Sequence, residues 1–477
     1  MTEGRHLPPF AGVGMPSLCG ATHVVLALLS VLASGCGPVV VWHGRSPDRV
    51  RRAVIVEEGA RQRIVVDGQA SEPFDAVGFT HLAWTSRGPV VPVERSGRWH
   101  VSAAGELGPA FEAIGELLVR GERLIYAAQD EEGWRVVDGG VAGPAFESLR
   151  AGSLALDAEG RRLLYIGRDR EGEHAVIDGE PGPAFDRVAA LGLGAKGALT
   201  GYVGVRSDGA DVVIDGRVVA SGDEVRELAL ATSEPRWAAI VVRHDQRLVV
   251  HGARSYPAPS AEQLAIAAGG GSVAWLAPAG GTVEVWRDGA HLASHLEVDR
   301  LRFVPASGAL LYVAREADGA HVVHDGAVGP RLAAVEALVA SEAGHVGYAG
   351  RRGVGRVVVI DGAVRYRGEW AGGLTLAARS DRYAFIIREA GRRFVVTPDA
   401  RVELARPFVD TLVLDPEGER WAIAVADPRT RRLDVVVDGR VAAPLDMDEV
   451  SAAVLQGRDP VSVVRAIVLG ELERSHE

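Results

Sequence analysis

The sequence predicts an all-β protein assembled from one short repeating unit. First, a β-branched run ending in Asp-Gly recurs along the chain, and Asp-Gly between extended runs is a strong hairpin signal. Second, the copies are evenly spaced, with Asp178 and Asp215 37 residues apart and Asp325 and Asp361 36 apart. Third, 59 glycines among 477 residues suit many short strands and tight turns. A fixed period of ~20–50 residues indicates a repeat architecture. The Asp-Gly anchors are Asp67, Asp138, Asp178, Asp215, Asp288, Asp325, Asp361 and Asp438.

The clearest copy of the unit, at 147–185, predicts four antiparallel strands. They are a short apolar strand at 154–156, a second strand at 162–167, a third at 174–177 and an edge strand at 183–185. The two middle runs are almost continuously apolar, as expected for strands covered on both faces. Proline suits the edge strand, where it removes no ladder hydrogen bond. Four such strands in about forty residues describe one blade of a β-propeller.

The number of units bears on how the blades are arranged. Eleven units lie between residues 51 and 439, and residues 447–470 form an incomplete twelfth. We therefore expect about 11–12 four-stranded blades of ~37 residues. Single rings typically hold ~4–8 blades, which favours two rings, divided at the irregular stretch 251–271 into halves 49–255 and 256–477. A single large ring or an open arc is the alternative. The first unit lacks its first strand, which residues 447–455 could supply by closing the circle.

The first 36 residues carry the features of an export signal. The apolar run at 24–35 is shorter than the ~20 residues that span a membrane, and it ends in small residues. The order Leu32-Ala33-Ser34-Gly35-Cys36 resembles a bacterial lipobox, which implies that Cys36 is diacylated and becomes the mature N-terminus. We therefore assign 1–36 to a lipoprotein signal peptide and 37–48 to a short tether. The alternative is a buried N-terminal strand with an incidental cysteine.

The second strand and the turn before it carry a further recurring pattern. LDPEGERWAIAV at 414–425 and LDAEGRRLLYIG at 156–167 place a glycine-containing turn before an apolar run with Trp or Tyr. These units resemble the WD-repeat-like propeller repeats of bacterial secreted proteins of the TolB type. As a repeat pattern the resemblance covers about nine-tenths of the chain. It implies a propeller and no particular activity, because one fold hosts many functions.

Composition and motifs argue against several function classes. A net charge of −11 leaves no basic surface for nucleic acid. The sequence contains no Gly-x-Ser-x-Gly elbow, no His-Glu-x-x-His and no P-loop, so we predict no catalytic residue and no cofactor. His321 and His324 point to opposite faces of a strand, and His291 and His295 share a face without a third ligand at a suitable spacing. We therefore predict no metal site.

One pattern suggests a ligand. An arginine recurs near the end of the second strand, eight to ten residues before the Asp-Gly pair or its degenerate copy. If these positions form a ring, six guanidinium groups face one opening and favour an anionic ligand or an acidic partner segment. The alternative is that each arginine pairs with a carboxylate of its own loop, such as Asp169, Asp208, Asp245 or Glu316. The candidate ring consists of Arg168, Arg206, Arg243, Arg315, Arg351 and Arg388.

These observations predict an exported, lipid-anchored, non-catalytic β-propeller scaffold that binds a protein or an envelope polymer. We expect it on the periplasmic or outer-membrane face of a bacterial envelope, held to the membrane only by its N-terminal lipid. One alternative is a propeller hydrolase or lyase whose site is assembled from several blades around the central channel. The other is a purely structural envelope protein.

Overall fold

The computed structural model describes residues 39–46, 50–78, 82–157, 159–409, 411–427, 432–445, 450 and 459–474. Within these ranges the chain forms eleven antiparallel sheets that follow one another along the sequence, which we name blades 1 to 11. Each blade has four strand positions in chain order, and in blades 2 and 4 the first position is divided into two short segments. The predicted all-β propeller of four-stranded blades is confirmed, with eleven blades in the described ranges.

The strands are short and follow one another blade by blade. Blades 1 to 4 contain β1 (Val39–Arg45), β2 (Arg52–Glu58), β3 (Arg61–Val66) and β4 (Gln69–Ala70); β5 (Ala76–Val77), β6 (Ala83–Thr85), β7 (Gly88–Arg95), β8 (Arg98–Ala103) and β9 (Glu106–Leu107); β10 (Ala113–Arg120), β11 (Arg123–Asp130), β12 (Gly133–Asp138) and β13 (Val141–Ala142); and β14 (Ser148–Leu149), β15 (Ala155–Leu156), β16 (Leu163–Arg168), β17 (Glu173–Ile177) and β18 (Glu180–Pro181). Blades 5 to 8 contain β19 (Arg187–Gly194), β20 (Leu199–Arg206), β21 (Gly209–Ile214) and β22 (Arg217–Gly222); β23 (Glu224–Leu230), β24 (Trp237–Arg243), β25 (Gln246–His251) and β26 (Arg254–Pro257); β27 (Glu262–Ile266), β28 (Val273–Ala279), β29 (Thr282–Arg287) and β30 (Ala290–His295); and β31 (Glu297–Phe303), β32 (Leu310–Glu316), β33 (Gly319–His324) and β34 (Ala327–Val328). Blades 9 to 11 contain β35 (Ala334–Ala340), β36 (Val346–Arg352), β37 (Gly355–Ile360) and β38 (Ala363–Gly368); β39 (Trp370–Leu376), β40 (Tyr383–Glu389), β41 (Arg392–Val396) and β42 (Arg401–Leu404); and β43 (Val413–Leu414), β44 (Trp421–Asp427), β45 (Arg432–Val437) and β46 (Arg440–Pro444).

The first strands of several neighbouring blades contact one another, as β23 does with β27 and β27 with β31. These contacts place the first strands on the inner side of the arrangement. The fourth strands are mostly exposed, for example β13 and β18. The hydrophobic core therefore lies in the spaces between the faces of successive blades, where the second and third strands are buried on both sides.

The Asp-Gly anchors form the turns between the third and fourth strands. Asp178 has a φ of 52° and Gly179 a φ of 86°, the left-handed pair that a two-residue hairpin needs. The Asp178 carboxylate also accepts the backbone N–H of Leu163 at 2.8 Å, which ties the turn to the start of the second strand. In blade 3 the turn lies one residue later, at Gly139 and Gly140. The carboxylates of Asp67, Asp215, Asp288, Asp361 and Asp438 cap a second strand in the same way.

An aromatic contact that we call the aromatic lock fastens blades 2 to 4 to the blade that follows. Phe185, after the fourth strand of blade 4, meets Tyr202 of blade 5 edge-on, with ring centroids 6.0 Å apart. Both residues are only 1% exposed. A Cβ atom on Gly182 would lie 2.7 Å from the Tyr202 hydroxyl, so glycine permits this close approach. The equivalent pairs are Phe111–Tyr126 and Phe146–Tyr165.

The proposed division at residues 255 and 256 falls inside β26. One hydrophobic cluster joins Val249 of blade 6 to Trp275 of blade 7 across this point. Blades 6 and 7 therefore pack together as other neighbours do, and the division of the blades into two halves stays a prediction.

The N-terminal end of the described chain differs from the expectation. Residues 37–48, assigned to a tether, contain β1, which pairs with β2 from Val39 to Arg45. Blade 1 therefore has its own first strand, and the prediction that it lacks one is wrong. The predicted signal peptide 1–36 with Cys36 lies outside the described residues. The segment 447–455, proposed to close the circle, also lies outside them apart from Val450.

The C-terminal end is a helix, where the sequence suggested part of a twelfth blade. Helix α1 (Pro460–Arg474) begins after Asp459, whose carboxylate accepts the Ser462 N–H at 2.7 Å. Its apolar stripe, including Val468, packs against Ala424 of blade 11. The other face of blade 11 packs on blade 10. The helix therefore covers the face that a further blade would cover. Among the described helices, none combines the length and hydropathy needed to cross a bilayer.

Candidate functional site

The six arginines of the candidate ring occupy two different register positions. Arg315 pairs with Ala320, whereas Arg206 pairs with Gly209, one step nearer the turn. Arg243 shares the register of Arg206. Because successive residues of a strand point to opposite faces, these two arginines lie on the other face from the remaining four. The expectation of six equivalent positions is therefore wrong for Arg206 and Arg243. The four that share one position are Arg168, Arg315, Arg351 and Arg388.

Each of the six guanidinium groups contacts an acceptor within the protein. Five of them pair with a carboxylate. The alternative interpretation predicted contacts of this kind, but it named other carboxylates as the partners. Binding of an anionic ligand by this set stays a prediction. The contacts join Arg168 to Glu173 (3.6 Å), Arg206 to Asp211, Arg315 to Asp299 (3.1 Å), Arg351 to Glu336 (3.3 Å), Arg388 to Glu369 (2.9 Å), and Arg243 to the Ser221 carbonyl (2.6 Å).

A cleft of about 540 Å³ opens between the inner parts of blades 3 and 4. Trp134 of blade 3 and Leu149 and Tyr165 of blade 4 give it apolar and aromatic walls. Small residues, Gly115 and Ala127, leave room on the blade 3 side. A cleft of this size lies within the ~300–1,000 Å³ range of sites that hold a small ligand or a few side chains.

The cleft exists because the first strand of blade 4 is interrupted. Its segments β14 and β15 have two residues each, and the residues between them leave the ladder. The Ser153 hydroxyl accepts the backbone N–H of Ile166 at 3.0 Å and donates to the Arg150 carbonyl at 2.7 Å. The hydroxyl thus replaces a missing strand partner, so the interruption leaves the Ile166 N–H satisfied.

The charged side chains at the rim of the cleft hold the loop 150–153 in place. Arg150 donates to the Val188 carbonyl of blade 5 at 2.7 Å and pairs with Glu173. Burial tends to raise the pKa of Glu173, but hydrogen bonds from Arg150 and the Val188 N–H outweigh it and leave this pKa lowered. Glu116 accepts the Gly152 N–H at 3.2 Å. With these groups engaged, the cleft offers mainly apolar surface to a ligand. A second cavity, of about 340 Å³, lies on the blade 5 side of the same loop.

Three potential metal ligands meet between blades 7 and 8. Nδ1 of His295, at the end of β30, lies 2.7 Å from Oε1 of Glu316, at the end of β32. The ring centroids of His295 and His321 are 5.9 Å apart. The potential ligand atoms of the three residues all lie within 4.8 Å of one another. Burial, followed by the charge of His295, lowers the pKa of His321 and favours its neutral imidazole.

Spacing along the sequence did not bring these three residues together, because it pairs His295 with His291 and His321 with His324. In the structure Nε2 of His291 lies 3.0 Å from the Ser294 hydroxyl. Residue spacing within one repeat cannot reveal a cluster of side chains that two different blades contribute. Aligning the units by strand register supplies the missing signal, because His295 then falls on the position that Phe146 occupies in blade 3.

Comparison with known proteins does not identify a family for this chain. No family model and no curated protein matches the sequence. Among solved structures, the chain is similar to a eukaryotic initiation factor, with 13% identity over 69% of this chain and 96% of that chain and a TM-score of 0.39. It is similar to the dihydro-heme d1 dehydrogenase NirN in complex with DHE, with 9% identity over 66% and 72% and a TM-score of 0.30. It is also similar to the Cps50 (Swd1) β-propeller domain of Myceliophteria thermophila, with 10% identity over 59% and 95% and a TM-score of 0.22. All three TM-scores lie below 0.5, so no conclusion about this chain rests on these similarities.

Proposed function

We propose that this protein is an exported, lipid-anchored, non-catalytic propeller that binds another protein through the cleft between blades 3 and 4. The cleft itself is the observation that best supports this function, because it offers a preformed and mainly apolar depression between two blades. Apolar anchors inserted into such depressions contribute much of the affinity in protein–protein interfaces.

The lining of the cleft favours a protein over an envelope polymer as the partner. Trp134, Leu149 and Tyr165 supply apolar and aromatic surface, which suits an aliphatic or aromatic side chain. A polysaccharide would need several free hydrogen-bonding groups, whereas Arg150 and Glu116 at the rim are already bonded within the protein. We infer a partner segment that places one or two large apolar residues in the cleft.

Export and anchoring are supported by the lipobox-like order that ends at Cys36 and by the resemblance to TolB-type repeats. Palmitate labelling of cells that express the wild type or Cys36→Ser tests this part of the proposal. We expect label on the wild type only. A label that persists after the exchange would refute lipidation at Cys36.

The binding site is tested by filling the cleft. Ser148 is exposed and lines the cleft, so Ser148→Trp places an indole in it. Ala155 is exposed on the same interrupted strand but lines only the neighbouring cavity, so Ala155→Trp is the matched control. The full chain, immobilised at its C-terminus, is used to capture proteins from solubilised envelopes.

We expect a partner captured by the wild type and by Ala155→Trp, with at least ~10-fold less on Ser148→Trp, a difference of about 1.4 kcal/mol. Thermal unfolding of both variants checks that the blades remain folded. Equal capture by the two tryptophan variants would exclude the cleft as the contact site.

A further inference from the structure

The interface between blades 7 and 8 places a histidine where the aromatic lock has its phenylalanine. In blade 3, Phe146 bridges to the second residue of the third strand, Trp134. In blade 7, His295 pairs with the residue in the same place, Val283. His295 therefore stands where Phe146 stands, and its ring lies 5.7 Å from Tyr312, the counterpart of Tyr165. A hydrophobic residue of the repeat has been replaced by an imidazole.

The neighbours of this imidazole also have counterparts at the interface between blades 3 and 4. His321 corresponds to His174, and Glu316 corresponds to Asp169. His174 has ordinary partners, since Nδ1 lies 2.7 Å from the Gly182 carbonyl and Nε2 lies 3.1 Å from Asp169. At blades 3 and 4, then, one histidine and one carboxylate face a phenylalanine. At blades 7 and 8, the same pair faces a second histidine.

We propose that His295, Glu316 and His321 bind a divalent transition-metal ion of the zinc class between blades 7 and 8. Two imidazoles and one carboxylate form a known three-ligand set for zinc, which leaves a fourth position for water. Ligands at ~2.0–2.2 Å from a tetrahedral ion lie roughly 3.4 Å apart, so the present 2.7 Å contact between His295 and Glu316 needs to open by less than about 1 Å.

The surroundings suit such a site. His295 and His321 are largely buried, whereas the Glu316 side chain is one-third exposed and leaves a path from solvent. The Tyr312 hydroxyl lies 3.5 Å from Nε2 of His295, while Nδ1 faces Glu316. Tyr312 is thus placed as a positioning residue that orients the ring with Nδ1 toward the ion. Because the ligands come from two blades, the ion would hold these blades together.

The test is titration of the full chain, freed of metal by a chelator, with Zn²⁺ alone in a calorimeter. Co²⁺ absorption then reports the ligand geometry. We expect one tight site in the wild type and at least ~100-fold weaker binding in His295→Phe, a variant that places a phenylalanine against Tyr312 as Phe146 lies against Tyr165. His321→Asn and Glu316→Gln should weaken binding as well, and zinc should raise the Tm of the wild type more than that of the three variants.

His174→Asn is the matched control, since it removes a histidine at the same register position of blade 4. It should leave zinc binding unchanged, as should His291→Asn on the strand that carries His295. Zinc binding of equal strength in His295→Phe, or no zinc site in the wild type, would overturn the proposal.

Discussion

Blade 5 meets blade 4 through a glycine, a phenylalanine and a tyrosine, whereas blade 11 meets helix α1 through aliphatic side chains. At the first interface, Phe185 and Tyr202 pack edge-on, and Gly182 leaves room for the tyrosine hydroxyl. At the second, Val468 and Leu472 lie among a set of buried valines and alanines of blade 11. Each interface covers one face of a four-stranded sheet.

The two interfaces differ in how strictly each one requires particular residues at particular positions. The aromatic lock needs a defined residue at each of three register positions, so one added atom is enough to disturb it. The helix needs only an apolar stripe at helical spacing, so volume matters more than shape. Substitutions that remove side-chain volume should therefore destabilise the helix interface most, and substitutions that add volume should destabilise the aromatic lock.

The largest effect is expected from Leu472→Ala in helix α1. Leu472 is 0% exposed, and removal of its side chain leaves a cavity against blade 11. We expect the free energy of unfolding to fall by about 3 kcal/mol, as for other buried Leu→Ala changes. Urea unfolding followed by circular dichroism measures this loss.

Leu469→Ala is the control for that experiment, because Leu469 is 37% exposed on the same helix. A change of less than about 0.5 kcal/mol is expected there, since surface substitutions have small effects. Equal losses for the two variants would mean that the helix acts through its own stability instead of covering blade 11.

Gly182→Ala should lower the free energy of unfolding by less than Leu472→Ala does. The added Cβ would lie 2.7 Å from the Tyr202 hydroxyl and 3.2 Å from the Ala175 carbonyl, and overpacking of this kind costs about 2 kcal/mol. Tyr202→Phe removes the crowded hydroxyl, which has no hydrogen-bond partner among the described residues. The double variant should therefore recover most of the loss in the same unfolding assay, and a strictly additive double variant would contradict this account.

The repeat made most of the fold predictable from the sequence. Asp-Gly turns mark the outer hairpin of each unit, and apolar runs mark the middle strands, so both the strand count and the period follow from local chemistry. The C-terminal helix did not follow, because VSVVRAIVLG (461–470) is rich in β-branched residues that favour strands. Asp459 and Pro460 are nevertheless a helix start signal, and the apolar face of blade 11 selects the helical spacing.

The candidate sites were harder to predict because each one is shared by two blades. The cleft depends on Ser153 in blade 4 and on Gly115 and Trp134 in blade 3. The histidine group depends on which side of a strand His295 faces and on what the next blade places there. Spacing within one unit gives no information on such contacts. The equivalence of the six arginines was mispredicted for a related reason, since a difference of one residue in register places Arg206 and Arg243 on the opposite face of the blade.

The smallest expected effect is a difference between the two interfaces in how the free energy of unfolding depends on pH. Burial raises the pKa of Tyr165, Tyr202 and Tyr348 to about 12, against about 10 in an unfolded chain. A folded-state pKa above the unfolded value means that the associated stability is complete below pH 10 and is lost as pH rises toward 12. At pH 11 each tyrosine should lower the free energy of unfolding by about 1 kcal/mol.

Tyr202→Phe tests this expectation, because phenylalanine has no proton to lose. Relative to its stability at pH 8, the variant should lose about 1 kcal/mol less than the wild type at pH 11 in urea unfolding. Leu472→Ala should show the same pH dependence as the wild type, since the cluster around Leu472 is aliphatic. If Tyr202→Phe and the wild type lose equal stability between pH 8 and pH 11, then the Tyr202 hydroxyl reaches solvent and the lock is looser than its 1% exposure indicates.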